Sequence, residues 1–501
     1  MRLLLALALI AVGLTGCTTD NDSKIDTGDS GDTTPAGYAD LELGGVADMV
    51  TEGGEVWVEL VQPGEYIVVL TSADEAQGTE HGYGAAAAEA KVVTPPDPRP
   101  IPAGSHPIMR TEVGDSFTFE VYNGTRYVDI EAEAIQVTDE LVVWEDRTTE
   151  NEFGSVDEDM MAAVVEQLEQ IVLPRERQLF GDESDVDGDG KLWVLMTYTV
   201  NQYGAQAYVT WCDIGVTEGC YGYGHGHEIV YMGYNDPADS RASANGITET
   251  VAHELAHLIY AYHKVLLNGA AGVDENIYVT EGTSAMAQDL TGYNNGNQYV
   301  WATALDMTET YGSDDYSVQA VSLNDLFRGS GYYDQARDGA LRGGAYLFLR
   351  YLFEQAGGMS VDAEGVFTDD GGIAWIKSFF DVSETGVDSV EVTTGADFSD
   401  LALDFYTALV VSGRDLNTDP AFNFHPRVED PLTGYEFGVD PYATIHGWVQ
   451  LTGPVVQPID EADGSLRAGG VEYLQISAEA GVYSLPVAEA ALARARVFRI
   501  E

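Results

Sequence analysis

Basic residues are scarce. Lysine and arginine together number 23 against 83 aspartates and glutamates, a formal net charge of -60. That balance argues against nucleic acid or anionic lipid headgroups as partners, because phosphate backbones and acidic surfaces repel such a chain. It selects no substrate by itself, since a strongly solvated surface accounts for it. Long apolar runs are also missing. The one candidate, Leu3 to Leu14 after Met1-Arg2, is too short to span a bilayer as a mature helix and has the form of an export signal. Cysteine occurs three times, so neither a cysteine-rich scaffold nor a four-cysteine zinc site is available.

Histidine is rare as well, nine in 501 residues, yet two histidines fall in His253-Glu254-Leu255-Ala256-His257, an H-E-x-x-H pattern. On a helix, positions four apart lie about 40° apart on one face, so both imidazoles can reach one zinc ion while Glu254 addresses a water on that ion. The helix is supported independently. Ile247, Val251, Leu255, Leu258, Tyr262 and Leu266 form one apolar stripe, and Asn268-Gly269 supplies a stop. The histidines lie nearly opposite that stripe, toward a cleft.

A catalytic zinc site needs a third protein ligand and a free position for water. Two residues compete for the role. His263 follows the second histidine by six positions, where a metzincin places its third ligand, but an unbroken helix turns it about 100° away and about 9 Å along the axis. The other is Glu281, in Asn276-Ile-Tyr-Val-Thr-Glu-Gly-Thr-Ser-Ala-Met-Ala-Gln288, a short apolar run leading into a second helical stretch.

Here the sequence resembles the gluzincin metallopeptidases, in which H-E-x-x-H is followed downstream by a glutamate ligand before glycine. More closely it resembles the hyicolysin-like peptidases and their bacterial relatives. The residues that carry the likeness are His253 to Ile259, Val279-Thr-Glu-Gly-Thr-Ser284, the upstream Phe180-Gly-Asp-Glu and Asp185 to Leu195, and the later Gly343 to Leu352. They span roughly residues 150 to 360. The resemblance implies an α+β, thermolysin-like core, zinc held by His253, His257 and Glu281, Glu254 as general base, and a protein or peptide substrate. It departs from the family in two places. Ile277-Tyr278 stands where a tryptophan is common, and Ala285 where thermolysin has an aspartate supporting a ligand, so the partners of the zinc ligands are unassigned, with Ser284 and Gln288 as candidates.

The remainder of the chain reads as accessory. Leu14-Thr-Gly-Cys17 has the form of a bacterial lipobox, which would make Cys17 the acylated N-terminus and place the protein on the outer membrane or cell surface. Residues 18 to 36 are rich in Asp, Thr, Ser and Gly and read as a flexible acidic tether. Residues 37 to 138 have period-two patterning and predict a β-sandwich; residues 139 to 415 are assigned to the peptidase, and 416 to 501 to a β-rich C-terminal segment. A monomer is expected.

Within the peptidase segment, Asp185-Val-Asp-Gly-Asp-Gly190 is the first half of a calcium loop, but Met196 replaces the bidentate glutamate at position twelve. It is read either as a calcium site of another type or as an Asp-Gly turn feeding the strand Leu192 to Tyr198. Cys212 and Cys220 are expected to form a small disulfide in an oxidising compartment. His225 and His227 are read as loop residues lacking further ligands; the resemblance implies that the following strand, from Glu228 to Met232, is an edge along which a peptide backbone adds. A different class of function stays open at this level: a tethered surface binding protein with a structural or vestigial zinc site.

Overall fold

The computed structural model describes residues 37–76, 79–83, 90–92, 111–151, 153–216, 224–237, 239–271, 275–305, 322–328, 338–445, 447, 449–459 and 464–501. The expected signal, Cys17, the tether and Cys220 lie outside the described residues.

The segments at the two ends of the described chain build one sandwich. Its first sheet has the order Val46–Asp48, Ala493–Arg499, Gly64–Ser72, Val471–Ala478 and Gln457–Pro458. The second aligns Tyr38–Ala39, Glu55–Leu60 and Gly481–Pro486, with Val50–Glu52 also paired to Glu55–Leu60. Alternation explains the run Tyr66-Ile-Val-Val-Leu70. Tyr66, Val68 and Leu70 face the sandwich core beside Val58, Ile476 and Val497, while Ile67 and Val69 join the larger core of the helical body. A strand buried on both faces needs no polar positions, hence its continuous apolar sequence.

This arrangement differs from the boundaries expected above. Strands Ser116–Tyr122 and Tyr127–Val137, assigned by pattern to a first sandwich, belong instead to a six-stranded sheet. Its order runs Ala207–Tyr208, Glu228–Met232, Leu192–Met196, Leu141–Asp146, Tyr127–Val137 and Ser116–Tyr122. The C-terminal strands likewise complete the N-terminal sandwich rather than forming a separate unit. Period-two patterning identifies a strand but not its partner, and here the partners lie more than four hundred residues apart.

Against the six-stranded sheet pack the helices that carry the site. The H-E-x-x-H helix, Ala244–Tyr260, starts at Ser243, whose hydroxyl accepts from Gly246 N at 3.2 Å. It does not break at Tyr260. The chain winds on through a wider turn, Ala261–Leu267, and stops at Asn268 and Gly269, the latter at φ 73°. The next helix, Ile277–Thr291, begins at once where a short apolar run is read from sequence, because Asn276 caps it by accepting from Tyr278 N. A third helix, Asp338–Gln355, lies against the second. Gly282 sets their separation, since a Cβ there would stand 2.9 Å from the backbone carbon of Ala345. The mixed helices and sheets make the chain α+β.

Candidate metal centre

Apolar residues of Ala244–Tyr260 fix the helix by burial: Ile247, Val251, Leu255, Leu258 and Ile259 all lie in the main core. His253 and His257 therefore emerge together on the opposite side, with ring centroids 4.9 Å apart. The second helix brings Glu281 to them. Its Oε2 lies 3.1 Å from His253 Nε2 and its Oε1 3.9 Å from His257 Nε2. One ligand atom from each of the three residues lies within 4.8 Å of the others. The Nδ1 of His253 contacts Gln288 Oε1 at 3.2 Å, a contact one ring nitrogen of a metal-bound histidine ordinarily makes, and Gln288 stands two turns after Glu281 on the same helix. The Ser284 hydroxyl is buried without a hydrogen-bond partner among the described residues.

His263 does not join this group. Its Nδ1 pairs with Asp381 at 2.9 Å and its Nε2 with the carbonyl of Asp182 at 2.9 Å, as the unbroken helical path requires.

Burial shapes the charges. It pushes His257 down to about 3, so this imidazole is neutral at ordinary pH, the form in which histidine ligates metal. Burial also pulls His253 down, but the hydrogen bond and charge of Glu281 outweigh it and leave the ring above its usual value. Glu281 itself is held down to about 2: burial would raise it, and the Arg342 guanidinium with both histidines prevails. Glu254, 8% exposed beside them, is pushed up to about 7, chiefly by burial. The backbone N–H of Val209, immediately after the outermost strand Ala207–Tyr208, opposes that rise only slightly.

That strand corrects one expectation. Glu228–Met232 is not an edge, for it runs between Leu192–Met196 and Ala207–Tyr208. The edge beside the site is Ala207–Tyr208, a two-residue strand too short and too irregular in pattern to be read from sequence.

Arg342 is the residue that sequence reasoning missed. It stands one position before the apolar stretch Gly343 to Leu352, and its Nη1 donates to Glu281 Oε2. An arginine directly before Gly343-Gly344, at the head of a largely buried helix, was the available signal.

His225 and His227 occupy loop backbone, but neither is an idle loop side chain. His225 Nδ1 lies 2.9 Å from Asp213 Oδ1, and its Nε2 accepts from Glu120 N. His227 is 2% exposed, stacks on Trp193 at 3.8 Å between ring centres, and sets its Nδ1 2.7 Å from Asp187. The further ligands that the sequence reading found lacking are thus present: Asp187, Asp189 and His227 converge, and Asp185, Asp187 and Glu228 form an overlapping group.

No family model matches the chain, and no curated protein matches it. Among solved structures it is similar to a mutant M1 zinc metallopeptidase from Deinococcus radiodurans, at 12% identity and a TM-score of 0.30, over 76% of this chain and 74% of that one. An overlap that shallow does not establish a shared fold.

Proposed function

We propose that the chain is a zinc-dependent endopeptidase, exported and held to the bacterial envelope through a lipid on Cys17. The observation that carries the activity is the meeting of His253, His257 and Glu281, with ligand atoms within 4.8 Å, beside the buried carboxyl of Glu254. Two imidazoles and one carboxylate are a donor set of catalytic zinc, so the residues fit the ion. The anchor and address rest on the Leu14-Thr-Gly-Cys17 sequence alone.

Bound there, zinc would polarise the scissile carbonyl and acidify the attacking water. The protein's own groups do the rest. Glu254 takes the proton from the water and passes it to the leaving amine, and its burial beside the histidines keeps it within that site. Gln288 orients His253 through Nδ1. Among the described residues Ala207–Tyr208 pairs on one side only, with Glu228–Met232, and its other side is where an extended peptide backbone would add.

The deciding experiment is zinc stoichiometry and casein cleavage on the soluble body after Cys17, for the wild type and Glu254→Gln. One zinc per chain in both proteins is expected, with chelator-sensitive cleavage in the wild type and a loss of about 10²- to 10⁴-fold in the variant. An active Glu254→Gln protein removes the assigned base. Zinc without cleavage by the wild type turns the reading to a surface binding protein.

A further inference from the structure

Arg342 reaches in two directions from the first turns of Asp338–Gln355. Its Nε donates to Asp338 Oδ2 at 2.9 Å, one turn back on its own helix, and its Nη1 donates to Glu281 Oε2 on the neighbouring helix. The other oxygen of Asp338 is buried with no hydrogen-bond donor among the described residues, so this carboxylate is committed to the guanidinium. Glycines make the approach possible. A Cβ on Gly282, next to Glu281, would meet Ala345 and Leu349 at 2.9 and 3.0 Å, and one on Gly343, next to Arg342, would collide with the carbonyl of Val300 on the helix Asn295–Ala304. Each charged residue is thus followed by the glycine that lets its helix close on a neighbour. Gly282 brings the Glu281 helix onto Asp338–Gln355, and Gly343 brings Asp338–Gln355 onto Asn295–Ala304.

We propose that Arg342 is the positioning residue of the third metal ligand: Asp338 fixes the guanidinium, and the guanidinium fixes the Glu281 carboxylate against the histidine pair. The inference rests on the zinc reading and adds to it the partner of Glu281. A glutamate has three side-chain torsions, and a buried one beside Glu254 is repelled by like charge; without a fixed cation it is free to turn away from the histidines. A carboxylate offers about four lone-pair positions on two oxygens, enough to serve a metal and a guanidinium together. A planar fork held at Nε by Asp338 leaves its Nη donors aimed in one direction. A lysine ammonium on a flexible stem keeps the charge without that aim.

The test measures zinc affinity by competition with a chromophoric chelator on the mature chain, for the wild type, Arg342→Ala, Arg342→Lys and Asp338→Asn, with circular dichroism of each zinc-free protein. The expected result is zinc bound about 10- to 100-fold more weakly in Arg342→Ala, with part of that loss regained in Arg342→Lys and a smaller loss in Asp338→Asn, all at unchanged helical signal. A purely structural arginine would alter folding and not this ordering. Wild-type affinity in Arg342→Ala overturns the proposal while leaving the zinc reading intact. If Arg342→Ala fails to fold, unchanged affinity in both Arg342→Lys and Asp338→Asn overturns it equally, and a wild type that takes up no zinc overturns both.

Discussion

Glu281 Oε2 stands 3.1 Å from His253 Nε2, although 28 residues and a change of helix separate them. The contact places an anion from one helix against the ligand pair of another, which is the arrangement a three-ligand cation site demands. His263, only six residues after His257, is spent on Asp381 and Asp182. Proximity in sequence and proximity in space disagree here, and helix geometry decides between them.

Removing Glu281 and removing His263 therefore have opposite consequences. Glu281→Ala is expected to lose bound zinc and chelator-sensitive cleavage together, whereas His263→Ala keeps one zinc per chain and its activity. Metal analysis of the two purified variants reads the outcome directly. Zinc lost from His263→Ala and kept by Glu281→Ala would replace the gluzincin reading with a metzincin-like one.

Much of this site was open to inspection in the sequence, for a physical reason. His253, Glu254 and His257 sit at spacings fixed by a single helix, and the apolar stripe from Ile247 to Leu258 reports that helix. Local periodicity suffices when one element carries the chemistry. The glutamate helix was partly legible too, although Asn276 begins it earlier than a reading of an apolar lead-in allows. What periodicity cannot carry is pairing between distant elements. The strand Gly64–Ser72 is recognisable, but nothing in its residues says that it pairs with Val471–Ala478 and Ala493–Arg499. Arg342 was hidden for the same reason, since its meaning comes from the helix opposite.

The loop Asp185–Gly190 poses a separate test. It holds three aspartates, and Glu228, the first residue of the strand beside Leu192–Met196, closes on it together with His227 just before that strand, with no lysine or arginine among the described residues paired to Asp185, Asp187 or Glu228. Asp185, Asp187 and Glu228 offer hard oxygen donors of the kind calcium takes. If calcium binds there, adding it to chelator-stripped protein raises the melting temperature of the wild type in a concentration-dependent way and leaves Asp187→Asn unmoved. Equal behaviour of the two proteins assigns the loop to the simpler role of a turn into Leu192–Met196, which its internal hydrogen bonds, such as Asp189 N to Asp187 Oδ1 at 3.1 Å, already support.

Lys264 gives the fold a measurable pH dependence away from the metal ligands. The ammonium is 1% exposed, donates to Phe379 O at 2.9 Å and Ser389 Oγ at 2.7 Å, and lies over the Phe379 ring. Burial lowers its pKa from 10.5 to about 8, against the opposing charges of Glu275 and Glu384. Below about pH 8 the side chain is charged in both states, and folding bears the cost of burying the cation. Between about pH 8 and 10.5 the folded form has released the proton that the unfolded form still holds, so stability rises with pH across that window. Lys264→Met has no such titration. Urea midpoints in chelator at about pH 7 and about pH 10, either side of the folded-state value, should show the wild type gaining on Lys264→Met as pH rises. A constant difference between the two proteins would mean that Lys264 keeps its ordinary pKa in the fold, and that its two hydrogen bonds and the nearby glutamates fully offset its burial.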